Sequence, residues 1–598
     1  MKTFFVVLAV LSFVATRAFA ATLDSHPQWK HGDRLPDLYY EVMAKSLEEA
    51  AAFQAKDGRF RSRMPQAGDS ETGWRVTGMQ YIYVPALLYV ADNPANPKKG
   101  DRQVLEMALA AGDYLATTIA EDGSFHPLVN GQPTNPLDSH RWLYCFAETY
   151  GLLEPYLDAA RKKAWRETLV LGGSKLADDI RERRDRPRYT APWLGTSPNH
   201  FGLWNATVFR IGMVLGIAEW VELTRPVLAR FVREVAPGGY WAEHDGPTMN
   251  YDYLNSSVAG LYYHFSRDPE ALLACRLSTD FHLHWCTPDG VDVQTVDERN
   301  SNDFDVNASW ALFTFSNFPD GRRFARFKLL AALGESADPL AQLGLEDLGR
   351  IAQDAHYHVE GGEATIPQEM PDYRHQLDRP AVVVKRGDWT WSYSALVSVY
   401  SPRNQFFLDR IMPVSLWHAG TRHIIGLGNS KGQPELATFA VKRGGELTAH
   451  PLDALIRGSW DSDTMCVADE GFSLRLVIGA VDQRTATIRV MCENTYNNTD
   501  SVFLNLPLRL HPGGTLAAGP AGSFKLEEEE ISLNGLSTLS HNGWTAILPP
   551  DSRFYWPFYP YFPYGDVRVP KVLRRAAGRL SVPLNHEGRW VEVRFRID

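Results

Sequence analysis

Apolar positions change their spacing once along this chain, near Pro371. Over residues 38–348 they recur at the three- and four-residue intervals of helices that bury one face. Leu38-Tyr39-Tyr40-Glu41-Val42-Met43 opens one such stretch, and residues 105–119 form another. The clearest pattern spans residues 207–223, where Val208, Ile211, Val214, Leu215, Ala218 and Val221 share one stripe. Asp122-Gly123, Asn130-Gly131, Gly238-Gly239 and Asp289-Gly290 punctuate the region as turn sites. Beyond Pro371 the period drops to two. Residues 381–385, 389–393, 486–491, 502–510 and 590–597 read as short strands separated by Gly, Asn and Pro turns. Trp389-Thr390-Trp391-Ser392-Tyr393 alternates as a half-buried strand does.

The pattern predicts a multidomain α + β chain, with an N-terminal (α/α) toroid followed by a C-terminal antiparallel β-sandwich. A helical region this long exceeds the core of a simple bundle, and no fixed-period repeat marks a solenoid. The expected boundaries are a signal peptide over 1–20, the toroid over 21–335, a linker over 336–372 and the sandwich over 373–598. The signal is read from Lys2, the apolar run 4–14 and the small residues Ala18 and Ala20. That run is too short to span a bilayer, and no later stretch qualifies as a membrane helix. The expected location is therefore secreted or periplasmic.

A net charge of −10 without a basic tract argues against nucleic acid as a partner. It leaves room for an acidic substrate in a locally positive site. The 12% aromatic share, with 17 Trp, mostly fills cores, although flat rings also suit sugar faces. Five cysteines show no CxxC; Cys275 and Cys286 are the pair able to bond, and the odd count leaves a free thiol. Glu527 to Glu530 reads as a solvated face, and the aromatic-proline stretch 555–564 as a stiff segment packed between domains, with a sugar-contacting loop as the alternative. The oligomeric state is not specified.

Three polar clusters carry candidate chemistry. Ser197-Pro198-Asn199-His200 precedes the strong helical stripe, flanked by Trp193 and Trp204. Glu243-His244-Asp245-Gly246-Pro247-Thr248-Met249-Asn250-Tyr251-Asp252-Tyr253 crowds titratable groups around a Gly-Pro turn. Asp297-Glu298-Arg299-Asn300-Ser301-Asn302-Asp303 adds one guanidinium. Asn199-His200, the Gly246-Pro247 turn leading to Tyr251, and Glu298-Arg299-Asn300-Ser301 together resemble the heparinase II/III-type and alginate-lyase-type polysaccharide lyases. Those families often carry two consecutive Asn before the His, where this chain has Pro198. The resemblance implies an (α/α) toroid joined to antiparallel sheets and a uronic-acid polymer, an acidic polysaccharide or oligosaccharide, cut by β-elimination.

The residue types suit that chemistry. The proton beside a uronate carboxylate is very weakly acidic until the carboxylate charge is quenched, which an amide such as Asn199 does by donating to it. His200 is a suitable base near neutral pH, and a Tyr251 hydroxyl can protonate the departing oxygen. Tyr251 can act as base instead if positive charge, such as Arg299, lowers its pKa. Tyr253 is the second candidate for the tyrosine. Arg299, Asn300, Glu243 and Trp204 are the expected substrate contacts; the bland role of Arg299 is an ion pair with Glu298 or Asp297. By resemblance a β-domain residue completes the site, and His418 is the candidate, with His423 second. No HExxH, Gly-x-Ser-x-Gly or dinucleotide fingerprint occurs, and the adjacent Glu243, His244 and Asp245 rarely converge on one ion, so no metal or cofactor is expected. Two other classes compete: a glycoside hydrolase on the same toroid, pairing carboxylates among Glu243, Asp245, Asp252 and Glu298, and a non-catalytic carbohydrate-binding protein.

Overall fold

Proline opens several of the predicted helices, because a missing N–H costs nothing at a first helical position. The computed structural model describes residues 28–61, 78–124, 128–129, 132–133, 139–185, 190–191, 195–196, 198–243, 246–299, 304–307, 311–397, 404–449, 451–459, 462–494, 500–563 and 572–598. Twelve helices lie among them: α1 Leu35–Phe53, α2 Tyr83–Val90, α3 Arg102–Thr118, α4 Ser139–Leu153, α5 Ala159–Arg183, α6 Pro198–Leu215, α7 Ala218–Arg233, α8 Met249–Ser266, α9 Pro269–His284, α10 Leu312–Phe315, α11 Pro319–Leu333 and α12 Pro339–Tyr357. Asp101, Asp158 and Asp338 cap α3, α5 and α12, each accepting a backbone N–H at 2.8–3.0 Å. The predicted signal peptide lies outside the described residues.

The chain folds as two compact units. The helical unit holds the described residues up to Trp241, together with Asn250–Leu283 and Val306–Glu369. Its helices form two layers. Most of the α6 circumference is buried, whereas α7 buries one stripe of Trp220, Leu223, Val227, Leu228, Phe231 and Val232. The last helix, α12, packs on α1 and closes the ring, the toroid expected from the sequence. Inside, Glu148 of α4 takes a two-pronged contact from Arg210 of α6 at 2.8 and 2.9 Å, and accepts the Tyr357 hydroxyl of α12 at 2.7 Å. Burial works against the Glu148 charge, but Arg210 outweighs it and holds the carboxyl below its ordinary pKa.

The structure departs from the expectations at several points. The stripe over 207–223 is not one helix: α6 ends at Leu215, Gly216 turns with φ +71°, and Ala218 begins α7. The six apolar positions stay in phase across a tight turn, closed by Ile217 N–H on Gly212 O at 2.8 Å, so periodicity alone could not see the break. In addition, α6 begins at Pro198, which puts Asn199 and His200 inside its first turn rather than before it. The stretch 336–372 carries α12 where a linker was expected. All five cysteines are free, so Cys275 and Cys286 do not pair.

The second unit comprises Met370–Asp598 with two borrowed segments, Ala242–Met249 and His284–Asp305. Eighteen strands of this unit join one antiparallel network around a continuous apolar core. Phe472–Asp482 shows the alternating burial of a half-covered strand. The strand Trp389–Ser394 departs from its expected alternation, since all six residues are buried. Its second face is covered by the borrowed segment: Thr295 Oγ1 lies 2.8 Å from Ser392 Oγ, which lies 2.6 Å from Ser415 Oγ. The expected stiff segment 555–564 begins as the end of the strand Trp544–Phe558, and Glu527 to Glu530 is exposed as expected.

Candidate functional site

Seven of the eight residues singled out from the sequence are described, and they fall into two groups. Asn199, His200, Trp204 and Tyr251 belong to the helical unit; Glu243, Arg299 and His418 belong to the second unit. Asn300 lies outside the described residues, as do His244 and Asp245.

In the helical unit the first group sits on two neighbouring helices. Asn199 and His200 occupy the first turn of α6, and Tyr251 that of α8. The two helices touch at Gly202, where an added Cβ would stand 3.4 Å from Val258, and further along at Phe209, whose ring lies 6.2 Å from Tyr262 and 6.4 Å from Phe265. Contacts advance in the same direction on both helices, so α6 and α8 run parallel and their N-termini lie at the same end of the unit. The start of α8 is pinned from outside the helix: Asp252 accepts the Trp241 N–H at 2.9 Å, and Trp241 stacks on Phe231 at 5.1 Å.

Asn199 is fully buried, and neither its amide oxygen nor its nitrogen has a hydrogen-bond partner among the described residues. An unsatisfied buried polar group costs about 1–3 kcal/mol, so such a group calls for a functional account. The 18-residue α6 adds the positive end of its dipole at the same turn, which favours an anion there. His200 and Tyr251 are half-buried. Trp204 is buried with the Arg183 guanidinium 5.3 Å from its ring centre, which makes it packing more than platform. The two candidate tyrosines differ sharply: Tyr253 is fully buried, its ring stacked on His282 at 3.8 Å with Lys328 at 5.4 Å, and only Tyr251 reaches solvent.

In the second unit the charges interlock. Arg299 Nη1 donates to Glu243 Oε1 at 2.7 Å, and Arg410 Nη2 donates to Glu298 Oε2 at 2.8 Å. All four side chains are buried. Thus Arg299 pairs with Glu243, 56 positions away, and its link to Asp297 is through its backbone N–H at 2.9 Å. The Phe406 ring lies 4.2 Å from the Arg299 guanidinium. A Cβ at Gly246 would stand 2.5 Å from Arg410 Nη2, so a side chain there would push that guanidinium aside. Burial raises the Glu243 carboxyl against the pull of Arg299.

Asp297 is pushed up to about 7 by burial, only partly offset by the Arg299 N–H. A carboxyl raised in the folded state costs stability once the unfolded chain has lost its proton. The cost is absent below about pH 4, grows as pH rises and is complete above about 7. Asp297→Asn keeps an oxygen for the Arg299 N–H and removes that cost. Its melting temperature should gain on that of the parent steadily from pH 4 to 7, then run level; parallel curves would refute the assignment.

His418 has both ring nitrogens engaged: Nδ1 accepts the Gly420 N–H at 2.9 Å and Nε2 bonds Gln483 O at 3.0 Å. That fixes a neutral tautomer tied to a strand end, with no nitrogen left for a sugar. His423 is buried against Phe304, 5.1 Å between ring centres. Sequence reasoning missed Arg410 and the role of Asn429, whose Nδ2 donates to Asp297 O at 2.9 Å; both come from loops more than 100 positions from their partners, with no local signal. Of the four carboxylates a hydrolase would draw on, the three described ones are engaged, Glu243 and Glu298 by arginines and Asp252 by the Trp241 N–H and the Asn255 amide, while Asp245 lies outside the described residues. Among the described residues there is no group of three His, Cys, Asp or Glu able to hold a metal, and no helix long and apolar enough to cross a membrane.

No protein-family model matches the chain, and no curated protein does. Solved structures do. Chondroitin AC lyase of Streptomyces coelicolor A3, in complex with chondroitin sulphate, is 14% identical with a TM-score of 0.52, over 95% of this chain and 79% of that one. Heparinase III is 10% identical with a TM-score of 0.51, over 93% of this chain and 84% of that one. At such identities the likeness is one of fold: a helical toroid followed by antiparallel sheet, as in heparinase II/III-type lyases.

Proposed function

We propose that this chain is an exported polysaccharide lyase that cleaves a uronic-acid-containing polymer by β-elimination. The observation that carries the reading is Asn199, a fully buried amide whose two polar atoms have no partner among the described residues, in the first turn of α6 beside half-buried His200. A substrate carboxylate satisfies that amide and meets the positive helix end. With its charge quenched, the neighbouring carbon becomes acidic enough for neutral His200 to take its proton. The electron pair left behind forms the new C=C bond as the glycosidic C–O bond breaks, and Tyr251 gives its proton to the departing oxygen. The shared fold of chondroitin AC lyase and heparinase III supports the reading.

The test is a panel of uronate polymers (alginate, polygalacturonate, chondroitin and heparan chains) screened for new alkene absorbance, with and without chelator. Absorbance should appear with at least one polymer and persist in chelator. Asn199→Ala should then lower kcat by about 100-fold, roughly 3 kcal/mol, with KM little changed. New reducing ends without absorbance would make the enzyme a hydrolase, and no cleavage of any polymer would leave the fold without this activity.

A further inference from the structure

The second unit carries a basic sheet face that the proposed chemistry does not use. Three neighbouring strands, Phe472–Asp482, Thr485–Asn494 and Glu587–Ile597, pair antiparallel in the registers Arg475↔Met491 and Met491↔Trp590. Side chains alternate along each strand. The inward set, with Leu474, Ile488, Val490 and Phe595, is buried in the core. The outward set includes Arg475, Arg489, Trp590, Arg594 and Arg596, all exposed. Trp590 is 45% exposed, unusual for so large an apolar ring, and the Arg489 guanidinium lies 5.5 Å from its centre. Arg594 is paired with Glu592 at 2.7 Å. Arg475, Arg489 and Arg596 form no ion pair with any described residue. From Trp590 to Arg596 the row runs about 20 Å at strand spacing.

On a chain of net charge −10, this local excess of arginine is a place where an anion gains rather than loses by contact. A second copy of the same face would bring arginine against arginine, which disfavours self-association. We propose that this face is a second glycan-binding surface, separate from the residues of the elimination site, which holds a uronate-bearing polysaccharide strand. Trp590 offers a flat apolar platform to a sugar ring, and the guanidiniums meet carboxylates along the strand. The identity of the occupant rests on the proposed function; the anionic, aromatic-assisted character of the binding does not.

The experiment is affinity electrophoresis of the full chain in gels holding polygalacturonate, neutral dextran, dextran sulfate or duplex DNA. Wild type should be retarded by polygalacturonate and not by dextran, with retardation fading as salt rises. Replacing Arg475, Arg489 and Arg596 together by Ala should weaken retention by roughly tenfold, since each exposed charge contact contributes at most about fivefold. Trp590→Ala alone should weaken it by about threefold. The readout needs no turnover, so it stands even where the alkene assay is negative. Equal retention of the triple variant and wild type overturns the surface. Stronger retention by dextran sulfate or DNA than by polygalacturonate overturns the uronate assignment.

Discussion

Tyr251→Phe should reduce alkene formation by about 100- to 10,000-fold, the range that a positioned proton donor contributes. The substitution removes one hydroxyl and keeps the ring, and the first turn of α8 is held by Asp252 on the Trp241 N–H, so that turn should stay in place. KM should therefore move by no more than about threefold, because the interaction lost belongs to the transition state. The alkaline limb of the kcat profile should also disappear, since no donor remains to titrate. Tyr253→Phe is the internal control. Its ring is sealed between His282 and Phe315, so it should keep nearly full activity. A reversed outcome, with Tyr253→Phe inactive and Tyr251→Phe active, would move the proton donor two residues and require the α8 turn to open.

The two periods of apolar spacing were enough to place helices before strands, and the strands 381–386 and 485–494 fall within a few residues of their predicted bounds. What the pattern could not contain was ownership. Glu243 and Arg299 sit in sequence among helices but belong to the sheet unit: Arg410 on Glu298 and Thr295 on Ser392 hold the Arg299 segment there, and Arg299 in turn holds Glu243. No periodicity encodes a contact across 112 positions such as Arg410 on Glu298. Asn199 shows the opposite case. Its residue type suggested an amide donor, but only the structure reveals that burial leaves that donor without a described partner. The break at Gly216 was missed for a third reason: an in-phase stripe hides a turn, and the glycine was the sole mark of it.

Arg410→Ala should destabilise the protein by about 3–5 kcal/mol in urea unfolding, the usual cost of breaking a buried charge pair from one side. The guanidinium stands 2.8 Å from Glu298 Oε2, and both side chains are essentially inaccessible, so water cannot take its place. The loss has two parts. One is the uncompensated charge left on Glu298; the other is the release of the segment His284–Asp305, which Glu298 anchors through its own N–H on Pro247 O at 3.0 Å. The parts separate in a double variant, Arg410→Met with Glu298→Leu, which removes both charges at similar volume. If charge dominates, the double variant should recover most of the lost stability, as buried pairs replaced by apolar residues commonly do. If the pair is needed to hold the segment, the double variant should stay near the single one. The Glu243–Arg299 pair, on the same two borrowed segments, should then lose its buried geometry as well, seen as faster amide exchange over 242–249.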